Sequence, residues 1–475
     1  MRHDRGAGHE FDASENQTRH GRTIRYHPCD QTAACPTLAG TVARYALPSR
    51  QLEAGGTVRG PGPPETGQHR WTPQKIALPP GYIAGMSDRI VEEGYVSEQA
   101  PPPSQALSGL LLLACAALAL AWANSPWQNS YTGVLHAEVG GWSLLHAIND
   151  GLMAVFFLLI GLEIKYEIQD GALASVRKSA LPIVGALGGM VMPALVYTAV
   201  AAGTPAVPGW GIPMATDIAF ALGIVALLGD RVPPGLRVFL AALAIADDIG
   251  AVIVIAVFYT PSVVTVALAA TIALMGALLL LNRRGVNAVA PYLCLGALLW
   301  VAVYQSGVHA SIAGVLLAFT VPSRGSHSVQ ARIEAALARP VNFGIVPLFA
   351  LANAGVTLPA DVASFATQPA VLATALGLVI GKPIGIFSAA WIAVRLRVAE
   401  LPAQCTWAGL FGVAILGGIG FTMALFIAGL AFSDAAQLDA AKVGVLSGSI
   451  LTGSLGALYL MRQAAPRRDA GRAGA

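Results

Sequence analysis

The chain has 475 residues, 55% of them hydrophobic and only 12% charged, with a mean hydropathy of +0.62. Soluble domains carry about 25% charged residues, so a soluble enzyme is excluded, and a net charge of +3 is too small to point to a nucleic-acid partner. Residues 1–103 hold 11 Lys/Arg and 11 Asp/Glu, whereas the remaining 372 residues hold 18 and 15, which marks the last three-quarters of the chain as a polytopic membrane protein.

Residues 1–103 are rich in Gly, Pro, Arg and Gln and show no sustained period of 2 or 3.6. Such a segment cannot bury enough apolar surface to offset its ordering entropy, so it is read as a disordered polar tail. It is no signal peptide, because the first apolar run begins near Ala106. Two readings of it compete: a cytosolic tail with a regulatory or partner role, or a stretch that is not normally translated, with Met86 and its polar lead of ordinary length as the natural start; the second is favoured. The five cysteines (Cys29, Cys35, Cys115, Cys294, Cys405) show no CxxC or Cys/His spacing, so neither a disulfide framework nor a zinc site is indicated.

A membrane helix needs about 20 apolar residues. In chain order, twelve spans are predicted at 106–123, 143–164, 180–201, 209–228, 236–258, 263–281, 289–306, 308–321, 341–357, 370–394, 406–431 and 441–461. Basic residues fall in alternate loops: Lys165, Arg177 and Lys178; Arg231 and Arg237; Arg283 and Arg284; Arg324, Arg332 and Arg339; Arg395 and Arg397. The intervening loops carry none except Lys442, at the start of the last span, and residues 462–475 form a basic tail. Because Lys and Arg stay cytoplasmic in short loops, both termini are placed in the cytoplasm.

Four ionisable residues fall deep in these spans: Asp217, the adjacent Asp247 and Asp248, and Lys382. Each costs about 2.5–3.5 kcal/mol at the bilayer centre on insertion scales, so intramembrane charge is functional by default. Asp247 lies ten residues beyond Arg237, about 15 Å into the membrane at ~1.5 Å per residue. Asp217 and Lys382 sit at similar depth, which predicts a common cavity. Neighbouring residues on a helix diverge by about 100°, so one acid can pair with Lys382 while the other faces an aqueous funnel. Carboxylate oxygens with no soft ligands nearby suit a small hard cation such as Na⁺ or Li⁺, traded against protons, so Asp247 and Asp248 are the transient Na⁺ ligands.

Two spans look broken. Pro213 and Thr216 interrupt the fourth just before Asp217, and Gly417, Gly418 and Gly420 crowd the eleventh. Interrupted segments in separate halves of a membrane protein point to a transporter site; close small-residue packing is the other reading of the glycines. A channel filter, an HExxH motif and a nucleotide-binding loop are absent from the sequence, and the two adjacent acids do not form the two-helix pair of an intramembrane aspartyl protease.

Seven runs in order carry a resemblance: Asn149-Asp150-Gly151, Gly161-Leu-Glu163-Ile-Lys165, Ala215-Thr-Asp217-Ile-Ala-Phe, Ala244-Ile-Ala-Asp247-Asp248-Ile-Gly250, Leu351-Ala-Asn353-Ala-Gly355, Gly381-Lys382-Pro-Ile-Gly385 and Gly420-Phe-Thr-Met-Ala-Leu-Phe. Over residues 104–461 the chain closely resembles the NhaA family of bacterial Na⁺/H⁺ antiporters. The resemblance implies an all-α inverted-repeat fold in which the discontinuous fourth and eleventh helices cross. It implies electrogenic, pH-regulated exchange of cytoplasmic Na⁺ or Li⁺ for external H⁺ across the inner membrane, without cofactor or nucleotide. Asp248 resembles the principal ion carrier, Asp247 its partner paired with Lys382, and Thr216 and Asp217 the residues at the helix crossing. Asp150 and Glu163 resemble cytoplasmic-side acids linked to a funnel and to pH response, and His309 matches a position tied to pH dependence. Around Glu334, the run Ile333-Glu-Ala-Ala-Leu-Ala-Arg-Pro340 lacks the family's histidines, and Lys165-Tyr166-Glu167 replaces its Lys-Arg-Glu. The loop 124–142, with some period-2 character, corresponds to a region used by the family for a homodimer hairpin.

Overall fold

The computed structural model describes residues 103–463 apart from 172, 261–263, 324, 326, 327 and 403. The segment 1–102, with Met86, Cys29 and Cys35, lies outside the described residues, as do Arg324 and the basic residues 464–475.

The first element, α1 (Pro103–Ala123), leads into a short helix α2 (Gln128–Leu135) and a two-residue hairpin of β1 (Glu138–Val139) and β2 (Trp142–Ser143). Gly140 and Gly141, both at positive φ, supply the backbone that a two-residue hairpin turn demands; Glu138 pairs with Ser143 and Val139 with Trp142. The loop expected to have strand character is therefore half helix, with a strand pair confined to its end. Next comes α3 (Leu144–Gln169), interrupted by a π turn at Ala147–Leu152, and then α4 (Val176–Ala201).

The fourth segment is broken. A 3-10 stretch, Val207–Met214, gives way to extended backbone at 215–217 before α5 (Ile218–Leu228). Two long apolar helices follow, α6 (Pro234–Phe258) and α7 (Thr265–Arg283), and then a shorter one, α8 (Val289–Gln305). After them come the nine-residue α9 (Ile312–Thr320), α10 (Val329–Asn353) and α11 (Pro369–Arg395). The second break separates α12 (Trp407–Leu416) from α13 (Phe421–Ala431), which are bent by 47°. The last helix is α14 (Ala435–Gln463).

Among the described residues, nine helices are long and apolar enough to cross a membrane, ten if α12 and α13 count as one span. Helix α8, at 17 residues, and α9, at nine, stand where the seventh and eighth spans were expected but fall short of that length. The ninth span differs more. Its helix starts at Val329, not 341, so Arg332, Glu334 and Arg339 are helical and not in a loop. Ser328 caps it, accepting from the Ala331 N–H, and the chain absorbs Pro340 in a π turn at Val341–Ile345. Large apolar side chains point outward along the bundle (Leu110, Ile272, Leu298, Ile450), as a lipid-facing surface requires.

Glycines set the tightest packing. A Cβ on Gly188 of α4 would fall 2.3 Å from the Gly385 carbonyl oxygen of α11, and one on Gly385 would fall 2.1 Å from that of Gly188. This backbone-to-backbone contact fixes α11 one turn beyond Lys382. Gly314 of α9 lies as close to Ala154 of α3, tying the short helix to the segment that carries Asp150 and Glu163.

Candidate functional site

The two broken segments are hydrogen-bonded to each other at their breaks. Asp217 is the N-cap of α5: its Oδ1 accepts from the Phe220 N–H at 3.0 Å. Its Oδ2 accepts from the backbone N–H of Thr422 at 3.0 Å and from that residue's hydroxyl at 2.5 Å. One carboxylate thus serves the free N–H groups of two helix starts, α5 and α13, where the backbone dipole favours negative charge. The Asp217 N–H in turn donates to the Ile419 carbonyl at 2.6 Å.

The ends that face these starts are met by donors. Lys382 Nζ donates to the Met214 carbonyl, at the close of the 3-10 stretch. The Thr216 hydroxyl lies 2.9 Å from the Gly417 carbonyl at the end of α12 and 2.6 Å from Asp247 Oδ2. A hydroxyl carries one hydrogen, so Thr216 donates to one of the two at a time. Asp247 and the end of α12 therefore share one hydroxyl hydrogen.

None of Gly417, Gly418 and Gly420 has a positive φ, so left-handed backbone is not what requires glycine at this break. Close approach is: a Cβ on Gly418 would fall 2.5 Å from the Leu378 carbonyl oxygen, and one on Gly420 would fall 2.9 Å from Ala424 Cβ. The break and the small-residue contact, separate readings of the sequence, coexist here.

Against this frame stand Asp247 and Asp248 on α6. Asp247 Oδ2 lies 2.7 Å from Lys382 Nζ, and both side chains are fully buried. Asp248 is 1% exposed. The sequence reading placed one acid of the pair in an aqueous funnel; in the structure Asp248 is enclosed. Oδ1 of Asp247 and Oδ1 of Asp248 are buried without a hydrogen-bond partner. Unsatisfied buried oxygens are costly. They are also hard, anionic donors of the kind a proton or an alkali cation seeks. Among the described residues no cluster of three or more His, Cys, Asp or Glu could hold a metal ion.

Asp150 and Glu163, grouped together by the sequence reading, are separated in the structure. Asp150 sits in the π turn at the end of the bundle that carries the first loop. His146 Nδ1 lies 3.1 Å from its Oδ2, and His309 Nε2 lies 3.1 Å from its Oδ1. The three line an open cavity of about 280 Å³ that His136 and Ser143 also border. Glu163 is 13 residues further on, about 20 Å along the helix at ~1.5 Å per residue. It lies within electrostatic reach of Glu334 and Glu167. Beside it, Lys165 donates to the carbonyls of Ala318, Phe319 and Val321 at the end of α9, and Gln330 donates to Leu162 O at 2.9 Å.

The structure therefore brings together Thr216, Asp217, Asp247, Asp248, Lys382 and the Gly417–Gly420 break, and leaves Asp150 with His309 and Glu163 with Glu334 at opposite ends. Two contributors were missed. Thr422 completes the Asp217 site, and its position two residues after the last break glycine was the available signal. His146 stands at i,i+4 to Asp150, a spacing that places side chains on one helix face.

These features define a multi-pass membrane protein whose buried carboxylates are gripped by two interrupted helices. The profile of the Na⁺/H⁺ antiporter 1 family matches residues 102–460. The chain is 52% identical to the Na(+)/H(+) antiporter NhaA of Bordetella parapertussis over 383 residues, covering 77% of this chain and 96% of the relative. It is 50% identical to those of Mesorhizobium japonicum over 368 residues (75% and 92%) and Vibrio campbellii over 362 residues (75% and 93%). The chain belongs to this family of Na⁺/H⁺ antiporters.

Proposed function

We propose that this protein exchanges cytoplasmic Na⁺, or Li⁺, for external H⁺ and draws its energy from the proton gradient. The observation that carries the reading is the buried Asp247–Asp248 pair, with one unpartnered oxygen on each acid and Lys382 as counter-charge to Asp247. Asp248 carries the ion, and Asp247 alternates between Lys382 and the cargo. Two carboxylates can take up two protons against one Na⁺, so a cycle that uses both moves net charge and is electrogenic.

The site belongs to twelve helical segments in two inverted repeats, with the broken fourth and eleventh segments crossing at Asp217 and Thr216. The hydrogen bonds between the two breaks support this. The alternation of basic loops places both termini in the cytoplasm of a bacterial cell and the protein in its inner membrane. Glu163 and Glu334 then face the cytoplasm and modulate pH response, while the hairpin of the loop 124–142 is the place for a homodimer contact. Residues 1–85 are dispensable for transport.

The test is uptake of radioactive Na⁺ into proteoliposomes holding the full chain, driven only by an imposed pH gradient. Uptake that collapses with a protonophore, and drives a measurable membrane potential, supports the reading. Na⁺ uptake indifferent to the pH gradient contradicts it.

A further inference from the structure

The mouth at the first-loop end of the bundle contains a chain of titratable groups that the ion site does not use. His146 is the outermost, with 40% of its side chain exposed. Its imidazole stands against Trp142 at 4.5 Å between ring centres and against Tyr304 at 5.9 Å. Its Nε2 lies 3.3 Å from the Tyr304 hydroxyl. Asp150, 13% exposed, is gripped on its other oxygen by His309, 16% exposed. The π turn holds the carboxylate between the two rings, and Trp300 of α8 fixes that turn by donating to the Asp150 backbone carbonyl at 3.1 Å. π turns of this kind recur at functional sites.

The inner end of the chain is equally defined. His309 Nδ1 is 2.5 Å from the Ser311 hydroxyl, and the imidazole stands edge-on to Phe426 at 5.2 Å. Phe426 lies on α13, one turn after Thr422, the residue that grips Asp217. Phe157 and Phe349 close around it. One ring of this aromatic group, Phe426, thus stands on the same half-helix as Thr422, while Phe157 comes from α3 and Phe349 from α10.

We propose that His146, Asp150 and His309 form a proton-loading relay at this mouth. This rests on the exchange reading and its orientation, in which the first loop is external. A proton from external water binds His146 at Nε2, and the imidazolium gives its Nδ1 proton to Asp150 Oδ2. The carboxyl group turns about its Cβ–Cγ bond and hands that same proton to His309 Nε2. His309 holds its second ring proton on Nδ1, donated to Ser311, so it becomes imidazolium; Asp150 is again a carboxylate, and neutral His146 regains its Nδ1–H tautomer by proton exchange with external water. The imidazolium is parked against Phe426, and its release inward requires α13 to move. Histidine is the natural group for such loading near neutral pH.

Other groups facing the pair are few. From the first loop there is His136, from α8 Tyr304, from α10 the neutral Asn353, which exchanges two amide hydrogen bonds with Asn149, and from α13 only apolar residues and Gly429. No Lys, Arg or second carboxylate lines the cavity among the described residues.

The experiment is initial Na⁺ uptake into everted membrane vesicles holding the full chain, whose lumen bathes the first-loop end, with lumenal and bath pH varied separately. Wild-type uptake should fall as lumenal pH rises, with an inflection where the relay loses its proton. His146→Gln and His309→Gln should each lower uptake roughly tenfold or more at acid lumenal pH, since positioned proton transfer contributes ~10²–10⁴-fold, and should abolish the lumenal inflection. The bath-side profile should keep its shape, and Na⁺/Na⁺ exchange, which moves no proton, should persist. A wild-type lumenal inflection in either variant overturns the relay. Should His309→Gln fail to insert, the more exposed His146→Gln decides alone. Wild-type protein that takes up Na⁺ without regard to either pH overturns the exchange reading and leaves the relay no reaction to serve.

Discussion

Lys382 and the two neighbouring acids differ in what each stands to lose by substitution. Asp247 is the only carboxylate within bonding distance of Lys382 among the described residues, and the other acceptor of that ammonium is a single backbone carbonyl, Met214 O. Asp247→Asn therefore leaves a buried cation without its counter-charge, at a cost of about 3–5 kcal/mol. Combining Asp247→Asn with Lys382→Gln should recover much of that loss. Thermal unfolding in detergent checks both, and additive destabilisation in the double variant would refute the pairing. Thr422 allows a milder test. Thr422→Val keeps the shape and the backbone N–H bond but deletes the hydroxyl that donates to Asp217 at 2.5 Å. The expected loss is about 1.5–3 kcal/mol, typical of a hydrogen bond to a charged group, with slowed exchange. Wild-type melting and flux would show that Asp217 does not need its second partner.

At the scale of elements, the two breaks hold their shape for different reasons. The first is set by Pro213 and by Asp217, which accepts from the Phe220 N–H of its own helix: an N-cap is local chemistry. The second depends on the absence of Cβ atoms where Leu378 of α11 crosses it. Gly418→Ala should cost about 1–3 kcal/mol through overpacking, because the obstructing atom is a backbone oxygen. Gly429→Ala, also in this segment, has nothing within 4 Å of the added methyl and should melt like the wild type. Equal melting of the two variants would remove close packing as the reason for the break glycines. Local signals of this kind explain what the sequence could disclose. Pro213, Asp217 and the Gly417–Gly420 cluster announced both interruptions, and midplane charges announced the Asp247–Lys382 contact. The π turns at Ala147–Leu152 and Val341–Ile345, and a third at Gly377–Gly381 just before Lys382, were invisible, since an extra residue in a helical turn leaves the apolar pattern almost unchanged. One of them shifts Asp150 toward His309. The helical start at Val329 was missed because residues 329–340 are amphipathic and polar on average, so hydropathy alone read them as loop.

At the scale of the molecule, the same one-dimensional reading misplaced Asp150. Its distance from Glu163 along one helix, about 20 Å at ~1.5 Å per residue, spans much of a 30 Å hydrocarbon core. Two acids on one span therefore belong to opposite faces, and the His146–Asp150–His309 group and the Glu163–Glu334 group sample different compartments. Cysteine labelling tests the arrangement. In a chain freed of its native cysteines, a cysteine at the exposed Trp127 should react with an impermeant maleimide added to intact cells, and one at the exposed Arg397 should react only after permeabilisation. The reverse pattern would invert the proposed orientation and with it the side from which the relay loads.

The proposed transport cycle turns on the Asp248 carboxyl group, enclosed and holding an oxygen with no partner. Asp248→Asn preserves size and polarity and removes the titrating group. Replacing an unpartnered buried carboxylate with a neutral amide relieves a desolvation cost, so the variant should melt no lower than the wild type. The deciding measurement is proton release from acid-loaded proteoliposomes on addition of Na⁺, with wild type and Asp248→Asn reconstituted at equal density. Normal release by the wild type and none by a folded Asp248→Asn is the predicted result; wild-type release from Asp248→Asn would contradict the assignment of this residue as the ion carrier.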